Sequence, residues 1–146
     1  MRATVRPAGV HARRPARAVT VGVVAAHRRG QPLHGELLTL GARFLGVDRT
    51  APVYRLLALD GPGVARGGLV RVAEGGDSVE VELFELAVGA VGELTVSLPA
   101  PLAVGRLELA DQTVVGIVCE SWAAADAKDI TAHGSWPAYL NRVMEP

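Results

Sequence analysis

The segment AVTVGVV, residues 18–24, constrains the fold more than any other part of this 146-residue chain. It is rich in β-branched residues and apolar on both faces, which predicts a central strand buried on both sides of a sheet. The chain is long enough to bury a sizeable core and has the size of one domain. We therefore expect a single core built around this strand.

Short strands separated by turns account for most of the remaining chain. Strands are predicted in the segments ARFLGVDRTA, PVYRLLALDGPG, GGLVRVAEGG, DSVEVELFEL, VGRLEL and TVVGIVCESW. The last two, joined by a turn around ADQT, are expected to form a hairpin-like pair. In DSVEVELFEL, apolar residues alternate with Glu80 and Glu82, which predicts a strand with one solvent-exposed face. Short helices are predicted in ELLTLG, in AVGAVGELTVSL and from about Trp136 to Met144.

These segments predict an α+β fold, with a mixed, barrel-like sheet of about six strands and two or three short helices. The strands mostly neighbour one another in sequence and do not alternate with helices. This order favours a mixed sheet over a doubly wound parallel one.

Charged residues are unevenly distributed along the chain. The net charge is zero, yet residues 1–35 contain seven Arg and no Asp or Glu, so the rest of the chain is acidic. We expect residues 1–18 to form a disordered basic extension and residues 19–146 to form the domain. No aromatic residues are interleaved with these arginines, which argues against nucleic acid as a partner.

The apolar run after the basic start imitates a secretory signal. It covers nine residues, 18–26, which is far too short to span a bilayer, and its valine content is that of a buried strand. The chain has a single cysteine, Cys119, so no internal disulfide is implied. These features predict a cytoplasmic protein without a membrane partner.

The loop AAHRRGQPLHG, which follows the central strand, is the strongest candidate for a functional site. Backbone N–H groups at the end of a buried strand, with Arg28 and Arg29 nearby, can receive a carboxylate or another small anion. His27 is the candidate proton carrier, because its pKa allows proton transfer near neutral pH. The alternative interpretation is a surface loop whose arginines are solvated.

Other reactive residues have simpler interpretations. Glu80, Glu82 and Glu85 are candidates for a general base, although alternating Glu more often forms a solvated strand face. Cys119 lies in an apolar segment, where a free cysteine behaves as a small hydrophobic residue. The four histidines lack the HxH or HExxH spacing of metal sites, and the sequence contains no nucleotide-binding glycine motif. Neither a metal nor another cofactor is predicted.

Several segments match the motifs of one family in the same order. VGVVAAHRRGQPLHGEL is similar to a Gly-Ala-His, Gly-x-Pro-Leu-Asn loop, and DITAHGSWPAYL to an ending Asp-Ile-Thr-x-x-Gly-x-Trp-x-x-Tyr-Leu. GARFLGVDRTAPVYRLLAL, GGLVRV, LPAPLAVGRLEL and GIVCES fit between them. Over about residues 19–140, the chain thus resembles the C-terminal domain of allophanate hydrolase, within the γ-glutamylcyclotransferase-like superfamily.

The resemblance implies a domain whose first strand and loop bind the substrate. In allophanate hydrolase, a separate amidase domain converts allophanate to N-carboxycarbamate, and the C-terminal domain is thought to promote the loss of carbon dioxide. For this chain it implies a small anionic substrate in urea and nitrogen metabolism, with His27 as the catalytic residue. The implied substrate-binding residues are Ala26, Arg28, Arg29, Gly30, Leu33, His34, Tyr54 and Glu82.

The chain also departs from the family pattern. It contains no amidase domain, so the resemblance implies action beside an amidase or urea carboxylase protein, with a homodimer as a further option. His34 stands where the family has Asn. Relative to γ-glutamylcyclotransferases, AAHR replaces a Tyr-Gly-Ser-Leu loop, and SLPAP, centred on Pro99, replaces the segment with a catalytic Glu. The cyclotransferase reaction is therefore not the expected one.

Two other functions stay open at this point. A non-catalytic module that docks an amidase or carboxylase would expose an apolar patch around Trp122 or Trp136. A γ-glutamylcyclotransferase-like activity would need Glu82 as a substitute base. A protonatable His27 in a closed pocket favours the enzyme instead.

Overall fold

The computed structural model describes residues 17–144, which contain eight strands and three α-helices. The strands are β1 Ala18–Val23, β2 Arg43–Arg49, β3 Tyr54–Leu59, β4 Arg66–Arg71, β5 Glu80–Ala87, β6 Leu102–Glu108, β7 Thr113–Cys119 and β8 Lys128–Asp129. The α-helices are α1 His34–Thr39, α2 Val88–Ser97 and α3 Trp136–Met144, and 3-10 helices lie at Ser121–Ala125 and Thr131–His133. All three predicted helices are present.

The larger sheet has five strands in the order β2-β5-β1-β7-β6, so β1 is central, as predicted. β1 pairs antiparallel with β5 and parallel with β7, which makes the sheet mixed. Val21 and Val23 of β1 are almost completely buried, because strands flank β1 on both sides and side chains cover both faces of the sheet. β6 and β7 form the predicted hairpin.

The two edge strands of this sheet meet at one end. Thr50, just after β2, forms a bridge with Leu109, just after β6, and the Ala51 N–H donates to the Glu108 carbonyl at 2.9 Å. This contact curls the sheet toward closure, which hides part of its edges. The smaller sheet, in the order β4-β3-β8, packs against the larger one. The predicted mixed, barrel-like α+β fold is confirmed.

Two glycines bring β4 close to the larger sheet. A Cβ on Gly67 would lie 2.8 Å from the Ala25 Cβ, and one on Gly68 would lie 2.8 Å from the Cys119 Cβ. Real side chains do not fit at such distances, so glycine is required at both positions. The close approach places the start of β4 beside the end of β1.

The last segment of the chain is fastened to the smaller sheet. The Leu56 N–H donates to the Thr131 hydroxyl at 2.8 Å, and the Thr131 hydroxyl donates to Asp129. Trp136, at the start of α3, is 2% exposed and lies against Gly67. The aromatic residues near the C-terminus are therefore part of the core.

One expectation from the sequence needs correction, and another lies mostly outside the described residues. β5 does not have a solvent-exposed face at Glu82, which is only 4% exposed because Arg28 and Arg29 of the loop after β1 contact it. The predicted extension, residues 1–18, lies outside the described residues up to residue 16, but β1 begins at Ala18 and the Val88 N–H donates to the Arg17 carbonyl. None of the helices within residues 17–144 combines the length and the apolar character needed to cross a lipid bilayer.

Candidate functional site

The loop between β1 and α1, residues 24–33, forms the centre of the candidate site. It is tightly turned, with the Arg28 N–H donating to the Ala25 carbonyl at 3.1 Å and the Leu33 N–H donating to the Ala26 carbonyl at 2.9 Å. The N–H groups of Ala26 and His27 have no hydrogen-bond acceptor within residues 17–144. Two backbone donors are thus available to a ligand.

His27 is held in place by two neighbours. Its side chain is 4% exposed, and its Nε2 lies 3.3 Å from Oε1 of Glu36, in the first turn of α1. The His34 Nδ1 lies 3.1 Å from the His27 carbonyl oxygen, which fixes the backbone of the loop. A neutral imidazole that donates its Nε2–H to Glu36 has Nδ1 as its unprotonated nitrogen.

The surroundings of His27 favour its neutral form when no ligand is bound. Burial lowers the pKa of His27, and the charges of Arg66 and His34 lower it further. The hydrogen bond and the negative charge of Glu36 raise the pKa, but burial is the largest effect. His27 is therefore favoured in its neutral form, and negative charge added beside it would raise its pKa.

Arg28 and Arg29 are already paired with carboxylates of β5. The Arg28 Nη2 lies 2.5 Å from Oε1 of Glu80 and 3.8 Å from Oε2 of Glu82. Glu82 also accepts hydrogen bonds from the Arg29 backbone N–H at 2.8 Å and from Arg29 Nε at 3.2 Å. The Arg29 guanidinium stacks on the Phe44 ring at 3.5 Å. These contacts fasten the loop to β5.

A small pocket, the inner pocket, opens beside His27. Its volume is about 10 Å³, room for about one water molecule, and it is lined by residues 23–27, Arg66, Gly67, Leu102 and Ile117. A larger pocket, the outer pocket, has a volume of about 280 Å³ and is lined by residues 59–62, Val64, Arg66 and residues 99–102. Arg66 and Leu102 line both pockets. The two pockets therefore adjoin, with His27 at the inner end and the proline-rich segment around Pro99 at the outer end.

The structure brings only some of the predicted site residues together. Ala26 and His27 line the inner pocket, whereas Arg28 and Arg29 do not. Gly30 adopts a positive φ of 81° that lets the loop turn. The Leu33 N–H closes the loop, and His34 packs on Phe84 with ring centroids 5.6 Å apart.

Tyr54 lies apart from the His27 pocket. Its hydroxyl accepts a hydrogen bond from the Glu108 N–H at 2.9 Å, and it lines a different surface pocket with Arg71. Tyr54 is 2% exposed, so its ring contributes mainly to the core. Cys119 is buried as well, and burial raises the pKa of its thiol to about 11, which makes it a poor nucleophile at neutral pH.

Two residues of the site were not predicted from the sequence. Glu36 contacts the imidazole of His27, and Arg66 contributes a positive charge to the inner pocket. A sequence signal exists for each of them. Glu36 is an acidic residue in the first turn after the loop, and Arg66 directly precedes a glycine pair that indicates a close approach of backbone.

Replacing Glu36 with glutamine is expected to lower the pKa of His27 further. The amide removes the negative charge that favours the imidazolium, while a hydrogen bond to Nε2 stays available. The pKa is measured by following the ring signals of His27 in an NMR titration. Glu85→Gln is the matched control, because Glu85 is similarly exposed and pairs with Arg43 instead. Equal pKa values of His27 in wild type and Glu36→Gln would contradict the assigned contact.

The chain matches the family described as allophanate hydrolase C-terminal domain over residues 19–141. It is 33% identical over 137 residues to the urea amidolyase of Saccharomyces cerevisiae, covering 90% of this chain and 7% of that protein. It thus spans only a small part of the curated relative. The family match includes the loop after β1 and the first part of α3.

Solved structures show the same relationship in three dimensions. The allophanate hydrolase of Kluyveromyces lactis superimposes with a TM-score of 0.83 at 31% identity, covering 88% of this chain and 22% of that one. A uropathogenic E. coli-specific protein superimposes with a TM-score of 0.80 at 33% identity, covering 86% of this chain and 97% of that chain. The same fold therefore occurs within a long chain and as nearly the whole of a short one.

Proposed function

The chain belongs to the allophanate hydrolase C-terminal domain family, and we propose that it promotes the decarboxylation of a small dicarboxylated nitrogen compound, N-carboxycarbamate, in urea breakdown. The amidase that produces this compound would be a partner of the chain or a domain outside it. The buried His27, hydrogen-bonded to Glu36 at the inner end of a pocket, is the observation that carries the proposal.

The proposed reaction needs one proton. N-carboxycarbamate is a nitrogen that carries one hydrogen and two carboxylates. One C–N bond breaks, carbon dioxide leaves, and the bonding electron pair stays on nitrogen. The protonated imidazole of His27 donates its proton to that nitrogen, which gives carbamate, and the imidazole then takes up a proton from solvent.

The substrate would bring about the protonation of His27. Without ligand the pKa of His27 is lowered, chiefly by burial. A bound dianion places negative charge beside the ring and favours the imidazolium. Proton uptake is thereby linked to substrate binding, and Glu36 orients the ring through Nε2 so that Nδ1 is the nitrogen that carries the transferred proton.

The walls of the inner pocket also suit this reaction. The N–H groups of Ala26 and His27 are donors for one carboxylate. The side chains of Val23, Leu102 and Ile117 line the pocket and offer no hydrogen bond to a carboxylate. A carboxylate against an apolar wall is poorly solvated, which favours its conversion to neutral carbon dioxide.

Carbon dioxide release tests the proposed function. An amidase fragment of allophanate hydrolase, which makes N-carboxycarbamate, is assayed with and without this protein under conditions where decarboxylation limits the rate. The wild-type chain is expected to accelerate the release, and His27→Asn is expected to lose on the order of 100-fold of this acceleration. His133→Asn is the matched control, because His133 is exposed and lies in the 3-10 helix before α3. A folded wild type without acceleration, or a fully active His27→Asn, would reject the proposal.

A non-catalytic docking module is the second candidate. Trp122 is 62% exposed and lines a surface pocket with Pro101 and Asp126, whereas Trp136 is buried. An exposed tryptophan of this kind is typical of interaction surfaces. If this is the function, the chain leaves carbon dioxide release unchanged. It binds the amidase fragment, and Trp122→Ala weakens that binding.

The γ-glutamylcyclotransferase-like alternative has little support. Both oxygens of Glu82 already accept hydrogen bonds from Arg29, and Arg28 lies 3.8 Å from Oε2. Glu82 does not line the inner pocket. A carboxylate used in this way stabilises the loop and is not available as a base.

A further inference from the structure

We propose that Arg66 binds one carboxylate of the substrate and that it makes the site select dianions over monoanions. This inference rests on the proposed function, because it assigns the substrate contacts of the same pocket. In this proposal Arg66 of β4, and not Arg28 or Arg29 of the loop, is the cation that contacts the substrate.

The position of Arg66 is set by the backbone of β4. Arg66 is the first residue of this strand, and the next two residues are the glycines that let β4 lie against Ala25 and Cys119. The side chain of the preceding residue, Arg66, lines the inner pocket. Arg66 lines both the inner and the outer pocket, so this residue lies where the two adjoin.

Arg66 also differs from the arginines of the loop in its partners. Arg28 and Arg29 are paired with Glu80 and Glu82. No carboxylate within residues 17–144 lies within 4.0 Å of the Arg66 guanidinium. The charge of Arg66 reaches His27, whose pKa it lowers. An uncompensated, half-buried guanidinium beside the proton carrier is suited to an anionic ligand.

The two carboxylates of the substrate then have separate binding groups. One is bound by the guanidinium of Arg66, which can donate two parallel hydrogen bonds to it. The other is bound by the N–H groups of Ala26 and His27. The nitrogen between the carboxylates lies next to the imidazole. A monoanion can use only one of these sets of donors, which is the basis of the expected selectivity.

Malonate is the probe for this inference, because a CH₂ group replaces the NH group of N-carboxycarbamate and the molecule is stable. Malonate and acetate are titrated into wild type, Arg66→Gln and Arg66→Lys, with binding followed by the ring signals of His27. We expect the malonate Kd to rise at least about tenfold in Arg66→Gln, with partial recovery in Arg66→Lys, while the acetate Kd changes little. Arg106→Gln is the control, since Arg106 is exposed and lines other pockets.

Kinetics supply the readout that separates binding from proton transfer. In the coupled assay, Arg66→Gln is expected to raise KM more than it lowers kcat, whereas His27→Asn is expected to lower kcat more than it raises KM. If the wild type did not bind malonate, or if the malonate Kd were unchanged in Arg66→Gln, the assignment of Arg66 would be overturned. The chain could also bind malonate in a manner that depends on Arg66 without accelerating carbon dioxide release. That result would uphold the anion site and reject only the proposed reaction.

Discussion

Replacing Glu82 with alanine is expected to lower the free energy of unfolding by about 1–3 kcal/mol. The side chains of Glu82 and Arg28 are 5% and 6% exposed, so the substitution removes a carboxylate beside a buried cation. It also removes the acceptor of the Arg29 backbone N–H. The stability of a domain is only about 5–15 kcal/mol, so this loss is a large fraction of it.

Urea denaturation of the purified variants measures this loss. Glu85→Ala is the matched control on the same strand, because Glu85 is 43% exposed and its ion pair with Arg43 is solvated. We expect a change of less than about 1 kcal/mol for the control. If Glu82→Ala were as stable as Glu85→Ala, Glu80 alone would be a sufficient partner for Arg28, and the proposed fastening of the loop to β5 would be wrong.

Replacing Trp136 with alanine is expected to cost about 3–5 kcal/mol. Trp136 is 2% exposed, and its ring lies beneath β4, where atoms of the indole would be 2.9 Å from a Cβ on Gly67. It packs on Tyr139 with ring centroids 5.4 Å apart. Truncation leaves a cavity between α3 and the smaller sheet, next to the residues that line the inner pocket.

Trp122→Ala is the control for Trp136, since Trp122 is 62% exposed. A surface substitution of this kind is expected to change the free energy of unfolding by less than about 0.5 kcal/mol. Denaturation followed by circular dichroism avoids the loss of a fluorescent group in either variant. Similar stabilities of the two variants would show that Trp136 does not contribute to the core as its burial indicates.

The contacts of Glu82 show why sequence patterns predicted less about the site than about the fold. Alternation of polar and apolar residues gives the side of a strand on which a residue lies, but not what covers that side. Glu82 lies opposite Val23 in the sheet, which places it next to the loop that begins after β1. Glu82 and its partner Arg29 are 53 residues apart in sequence, so their pairing depends on the register of β1 and β5.

The sequence by itself determined the central strand, the mixed α+β class, the hairpin of β6 and β7 and the family, because local patterns and motifs carry that information. It also singled out the loop after β1 and His27, since a reactive residue at the end of a buried strand is visible in the sequence. Only the tertiary structure decided which arginines are paired with carboxylates and which arginine is left without a carboxylate partner among the described residues. It paired Arg28 and Arg29 with β5 and brought Glu36 and Arg66 to His27. These contacts join residues distant in the chain, and their distances are set by packing.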